Sequence, residues 1–321
     1  MKTSFERYAL TPDAMQAKVE DLLNTVKLTE LSPDVFQGAS FDYVGPRIFG
    51  GQVLAQALLA AAKTLSYDKP CHSLHGYFLR GGDIRLPVVY QVRRLRDGRS
   101  LSAREVIAVQ YVETVNDDGE KVIKEQVIFS MIASFSPMEG GLNYQQDMPQ
   151  VPPPETLKTE QELKAQYLDK VPEVLQARYL RPRHVEIRPV TPMDPVDPAP
   201  ARPHQANWLR IADIGEQPVA IHQALLAFVS DFYLAGTALI GHGITFMTRG
   251  LQAASIDHSM HFHRPFDIRE YLLYDMWSDT TSHSKGLNHG QFWQDGKLIA
   301  TTQQECLMRL HPDSERLTSS S

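Results

Sequence analysis

FLRGGDIRLPVVY, Phe78 to Tyr90, recurs without gaps as FHRPFDIREYLLY, Phe262 to Tyr274. Six positions are identical: Phe78/Phe262, Arg80/Arg264, Asp83/Asp267, Ile84/Ile268, Arg85/Arg269 and Tyr90/Tyr274. At residue frequencies of roughly 5–10% each, about one chance identity is expected in such a window. Upstream of both copies the chain reads QALLA, at Gln56 to Ala60 and Gln223 to Ala227. One structural unit is used twice, so positions that differ between the copies are candidates for chemistry.

Length and composition fit that reading. A chain of 321 residues is expected to hold about two domains, each able to bury a core. With 22% charged and 42% hydrophobic residues it has the balance of a soluble globular protein. The formal charge of −6 gives no reason to expect nucleic acid as a partner. Cys71 and Cys306 lie far apart without metal-type spacing, and a reducing cytoplasm is the simpler expectation. Met1 to Arg7 leads into no apolar run, and Ser319-Ser320-Ser321 is not a peroxisomal address. The most apolar stretch, Val219 to Gly241, contains His222, Gln223 and Asp231, so a buried core helix is expected and not a membrane span.

Thirteen of the 21 prolines fall between Pro137 and Pro203, which predicts an extended tether with room for a helix only at Thr159 to Leu180. The expected division is 1–136, a proline-rich linker at 137–205, and 206–321 carrying the chemistry. In the first copy, Gln52 to Leu65 reads as a helix behind Gly50-Gly51. Strands are expected at His72–Leu79, Val88–Leu95, Ser102–Val115 and Val122–Phe135. In the second copy Trp208–Ile211 reads as a strand and Val219–Leu234 as the helix. Strands then follow at Ser255–His263, Tyr271–Ser278, Gly286–Trp293 and Leu298–Leu310. The pattern predicts an α+β fold with an antiparallel sheet wrapped around each apolar helix.

Aligned on QALLA, Asp231 falls opposite Thr64, so only the second helix carries a carboxylate late in its apolar run. Burying it is costly unless it is hydrogen-bonded, and no structural need demands it. A solvent-facing helix-terminal Asp is the competing reading. The strand repeat pairs Ser255 with Cys71; alone, Ser255 would read as a strand serine bonded to backbone. Strand alternation forbids Asp257 and His258 from both joining it on one face. On the last strand Thr302, Gln304 and Cys306 share one face, the polar lining of a cleft or a solvated edge. His258 and His261 lack a third ligand at recognisable spacing, and no metal site is expected.

At these residues the chain resembles the type II acyl-CoA thioesterases. The matching motifs are Ile48 to Val53, His72 to Asp83, Arg94 to Ser100, Ser230-Asp231, Ile256 to Met260 and Phe262 to Phe266, spread over nearly the whole chain. The resemblance implies a double hotdog, two curved antiparallel sheets each wrapped around a long helix. It also implies hydrolysis of fatty acyl-CoA without a cofactor, and assembly into a homotetramer or homodimer. Family members use an Asp, a Thr and a Gln, which fall on Asp231, Ser255 and Gln304. Ser255 departs from the family Thr, and Gly81 from a Pro. The resemblance implies that Asp231 activates a water held by Ser255 and Gln304, without a covalent intermediate. Backbone N–H groups around Gly50-Gly51 or Val219 are candidates for the oxyanion. Arg80, Arg264 and Arg309 are candidates for coenzyme A. Two alternatives stand beside hydrolysis: an acyl-CoA hydratase or dehydratase using His258 with Asp257 or Asp231, and a non-catalytic acyl-CoA binding protein.

Overall fold

The computed structural model describes residues 20–311, apart from 44, 46, 66–68, 182, 212 and 213. Met1 to Arg7 and Ser319 to Ser321 lie outside the described residues. Helix α1 (Gly50–Lys63) precedes strands β3 (Cys71–Phe78), β4 (Val88–Asp97), β5 (Ser102–Val115) and β6 (Lys121–Phe135). Strands β1 (Leu28–Ser32) and β2 (Val35–Gly38) extend this half at the β4 edge. The second half repeats the order. Helices α4 (Val219–Ser230) and α5 (Leu234–Ile240) precede β9 (Leu251–Ser255), β10 (Asp257–Phe262), β11 (Leu272–Ser282), β12 (Lys285–Gln294) and β13 (Lys297–Leu310).

The halves share one antiparallel sheet. Its order is β1-β2-β4-β5-β6-β3-β10-β13-β12-β11-β8-β7, where β7 is Glu186–Pro189 and β8 is His204–Arg210, and β9 pairs separately with β13. The β3–β10 ladder is the seam, with His258 opposite Gly76 and Met260 opposite Leu74. The sequence pattern predicted a sheet for each helix; hydrogen bonding makes them one surface. Helices α1 and α4 pack against each other, and every residue from Gly51 to Ala61 is buried. Such a helix takes its stability from packing on all sides, which its alanines and glycines permit. A Cβ on Gly51 would collide with the Phe228 carbonyl of α4.

The repeated motif builds the same corner twice. Asp83 holds Arg85, and Asp267 holds Arg269, through paired carboxylate–guanidinium contacts. Gln110 brackets the Asp83 backbone as Gln294 brackets that of Asp267. Arg80 donates to the Val127 carbonyl, and Arg264 donates to the corresponding Leu298 carbonyl. Each repeated arginine thus bonds a carbonyl of the long strand beside it.

Between the halves, residues 137–153 lie outside any helix or strand. Helices α2 (Glu160–Gln166) and α3 (Glu173–Tyr179) follow, joined by a 3-10 turn at Leu168–Lys170. The expected single helix is divided because Pro172 cannot continue one. Thr159 and Glu162 close a capping box at the start of α2. Strands β7 (Glu186–Pro189) and β8 (His204–Arg210) then add to the second half beside β11. β7 was not expected, since Pro189 hides a short edge strand. The apolar stretch Val219–Ile240 has the composition of a membrane span but lies mostly buried within the protein.

Two expected elements are interrupted. The helix foreseen over Val219–Leu234 stops at Ser230, because Tyr233 takes a left-handed φ of 65° before α5 begins. That conformation costs about 1–3 kcal/mol in a non-glycine residue. Gln205 donates to the Tyr233 carbonyl, and the Tyr233 hydroxyl donates to Glu160, which holds it there. The strand foreseen over Ser255–His263 breaks at Ile256. Four steps from Ser255 to Ser259 face three from Cys306 to Gln303, so one residue is extra, as in a β-bulge. Both interruptions fall at the candidate site.

Candidate functional site

Asp231 caps the C-terminus of α4 and reaches the N-terminus of α1, where its Oδ2 accepts the Gly51 N–H at 2.9 Å. The helix dipole of α1 favours negative charge there. Its Oδ1 accepts from Gln304 Nε2 at 2.6 Å and from Ser255 Oγ at 3.4 Å. Gln304 Nε2 also reaches Ser255 Oγ at 3.1 Å. The three residues singled out in the sequence therefore converge, drawn from a helix end, the end of β9 and the middle of β13. Burial outweighs these donors and raises the Asp231 carboxyl from 3.8 to about 6. A carboxyl poised near neutrality at a helix junction has the character of a general base. A Cβ on Gly50 would lie 2.7 Å from Asp231 Oδ2, so the glycine keeps this approach open.

A fourth member was not assigned this place from sequence. His258 is fully buried, and its Nδ1 lies 3.2 Å from Gln304 Nε2. Its Nε2 lies 2.9 Å from Ser230 Oγ, which itself donates to the Ala227 carbonyl. Because the Ser230 proton is used, Ser230 Oγ accepts, and the network assigns the imidazole proton to Nε2. Nδ1 is then an acceptor that fixes the Gln304 amide with its NH₂ group toward Asp231. Burial pushes the His258 pKa down to about 4, so the ring is neutral at pH 7. Uninterrupted alternation would have put Asp257 beside Ser255; the extra residue at Ile256 turns His258 in instead.

Asp257 faces away, accepting the Glu305 N–H at 2.7 Å and contacting His75 Nε2 at 2.9 Å. The His258–Asp257 pair considered for hydration is thus not formed, and Gln304 intervenes between His258 and Asp231. Val219 is corrected as an oxyanion candidate. It begins the twelve-residue α4, about 18 Å from the end that carries Asp231. Arg309 contacts Gln252 at the edge of β9.

The second half, residues 177–307, matches the family model described as Acyl-CoA thioesterase. Residues 39–136 match the one described as Acyl-CoA thioesterase N-terminal domain. The chain belongs to the acyl-CoA thioesterase family. Acyl-CoA thioesterase 2 of Haemophilus influenzae is 37% identical over 294 residues, covering 91% of this chain and 98% of that protein. Human acyl-coenzyme A thioesterase 8 is 39% identical over 304 residues, covering 91% and 90%. The crystal structure of acyl-CoA thioesterase II TesB2 from Mycobacterium marinum superposes with a TM-score of 0.69 at 32% identity, covering 92% of this chain and 99% of that one. A hot dog fold protein from Alicyclobacillus acidocaldarius, at 20% identity and a TM-score of 0.67, shares the fold. This acyl-CoA thioesterase is thus a hotdog-fold thioester hydrolase.

Proposed function

We propose that the chain hydrolyses fatty acyl-CoA to a free fatty acid and coenzyme A at one water site, formed by Asp231, Ser255 and Gln304 in the half spanning 206–321. The observation that carries this is the convergence of Ser255 and Gln304 on Oδ1 of Asp231, a carboxyl whose pKa stands at about 6. Gln304 Oε1, buried and without a hydrogen-bond partner among the described residues, offers a water O–H its acceptor. Asp231 takes the proton as the water oxygen bonds to the thioester carbonyl carbon. Collapse of the tetrahedral intermediate breaks the C–S bond, and the proton on Asp231 passes to the departing thiolate. A thiol of pKa about 8.5 leaves without a strong acid. The Gly51 N–H is engaged by Asp231, so we assign the oxyanion to the Gly50 N–H beside it.

No enzyme nucleophile takes part in this scheme. Cys71 and Cys306 are buried, and burial pushes the Cys306 thiol up to about 11. We place the enzyme in the cytoplasm as a homodimer or homotetramer, with each helix enclosed by its own part of the sheet. The free cysteines and the burial of the most apolar helix support the compartment, and light scattering decides the assembly. The deciding experiment measures thiol release from an acyl-CoA series by wild type and Asp231→Asn. Loss of about 10³-fold in kcat by a folded variant is expected. Undiminished turnover would reject the assignment.

A further inference from the structure

We infer that the acyl chain of the thioester lies in the cavity between the proline-rich connection and the second half, reached beside Phe232, with Leu163 and Leu175 setting the accepted length. This rests on the hydrolase reading above and names where its substrate's tail goes. The cavity measures about 890 Å³ and is walled by α2, α3, the stretch Phe41–Tyr43, the start of α5 and residues 244–247.

Its position ties it to the water site. Phe232 and Tyr233, the two residues after Asp231, form part of its wall. Phe49, the residue before Gly50, stacks on Phe232 at 5.0 Å with the rings 17° from parallel. Phe232, next to Asp231, thus lines the cavity, and Phe49, two residues before Gly51, stacks on it. A chain leaving the thioester carbonyl passes this pair to enter the cavity.

Its chemistry favours a hydrocarbon over the nucleotide end of coenzyme A. Four acidic and four basic side chains line the cavity, so it offers no excess of positive charge to phosphates. The main ones are already paired: Glu160 with Lys164 and Arg183, and Asp42 with Arg181. Arg183 also covers the Phe232 ring at 4.7 Å. Most other wall residues are aromatic or aliphatic. A methylene takes about the 30 Å³ share of a water, so a 16-carbon chain needs on the order of 500 Å³.

The connection supplies the length-determining wall. Leu163 on α2 and Leu175 on α3 are half-buried and face the cavity. Glu160 anchors that wall through Arg183, Lys164 and the Tyr233 hydroxyl. The wall is thereby fixed to a residue two positions from the catalytic carboxylate.

The test compares kcat/KM for 4-, 8-, 12- and 16-carbon acyl-CoA in wild type, Leu163→Trp, Leu175→Trp and Leu163→Ala, with thermal melts to confirm folding. The tryptophans are expected to lower 16-carbon turnover about tenfold or more while 4-carbon turnover stays within about twofold. Leu163→Ala is expected to move the preference toward longer chains, and it serves if the tryptophan variants do not fold. Proportional loss at every length, an unshifted profile, or a wild type confined to 4-carbon substrates overturns the cavity assignment. A wild type that releases no thiol from any substrate defeats the hydrolase reading itself.

Discussion

The corresponding ends of the two helices have been put to opposite uses. Tyr90 faces Ala108 across strands as Tyr274 faces Phe292, which brings Arg104 into register with Asn288 and Ala133 with Gln304. Thr64, Cys71, Ala133 and Arg104 therefore stand where the second half has Asp231, Ser255, Gln304 and Asn288. Arg104 is 1% exposed and fills its end completely. It donates to Thr64 Oγ1 at 2.6 Å, to the Arg96 and Ala103 carbonyls at 2.9 Å, and to Asp97 at 2.5 Å. One end satisfies its polar groups with a guanidinium; the other leaves a carboxylate under-solvated. The same backbone thus supports either a stable junction or a reactive one, and four side chains decide which.

The comparison breaks most sharply at Asp231. Asp231→Asn is expected to lose about 10³-fold in kcat and to lack the fall in stability that wild type shows between about pH 4 and about pH 6. The folded Asp231 pKa of about 6 exceeds its ordinary 3.8. The folded state thus holds this proton more tightly, and its contribution to stability falls as pH rises from about 4 to about 6. Above that window the carboxylate destabilises by up to about 3 kcal/mol, which the amide does not incur. Equal loss of stability and activity in denaturant titrations would show that Asp231 is a structural residue like Arg104.

Arg104→Ala should behave in the opposite way. It takes a donor from Thr64 Oγ1, which still bonds the Ala61 carbonyl, and from the Arg96 and Ala103 carbonyls, and it empties a buried site, a loss of about 3 kcal/mol in urea unfolding. kcat of the folded fraction should change less than about twofold. A large fall in kcat at unchanged stability would mean that the first half also carries chemistry.

The acid limb of the pH profile sharpens the assignment further. kcat/KM should decline about tenfold per pH unit below about 6, as Asp231 becomes protonated. His258 stays neutral down to about pH 4, so it contributes no break near 6. A limb near pH 4, or one that survives Asp231→Asn, would point to a different base. The smallest effect is expected at Ser255. Ser255→Thr restores the family hydroxyl on a stiffer rotamer and should raise kcat by no more than about threefold. A fall would mean that the site has been rebuilt around serine.

Much of this contrast was legible in the chain. The repeat located both corners, and the mismatch of Thr64 with Asp231 pointed to the end where Asp231, Ser255 and Gln304 meet. The β5 strand, Ser102–Val115, appears with the expected bounds because it is long and ends at a strong turn. Three things escaped. The break at Tyr233 is imposed by Glu160 and Gln205, which lie 73 and 28 residues away in sequence. The extra residue at Ile256 is defined only by pairing with β13, so His258 could not be aimed from alternation. Arg104 is one of several strand arginines in the sequence, and nothing local reveals that its guanidinium is enclosed. Local patterns recorded the scaffold; distant partners set the site.

The Gly51–Asp231 hydrogen bond spans the two copies. The carboxylate proposed as the base therefore belongs to neither unit alone, although only one encodes it. Two identical chains related by symmetry would be obliged to carry the same residues at both junctions. Covalent fusion removes that obligation, because a change in one copy is no longer imposed on the other. The tether between the copies is thus a licence for asymmetry: one junction became a foundation, and the other was free to remain chemically tense.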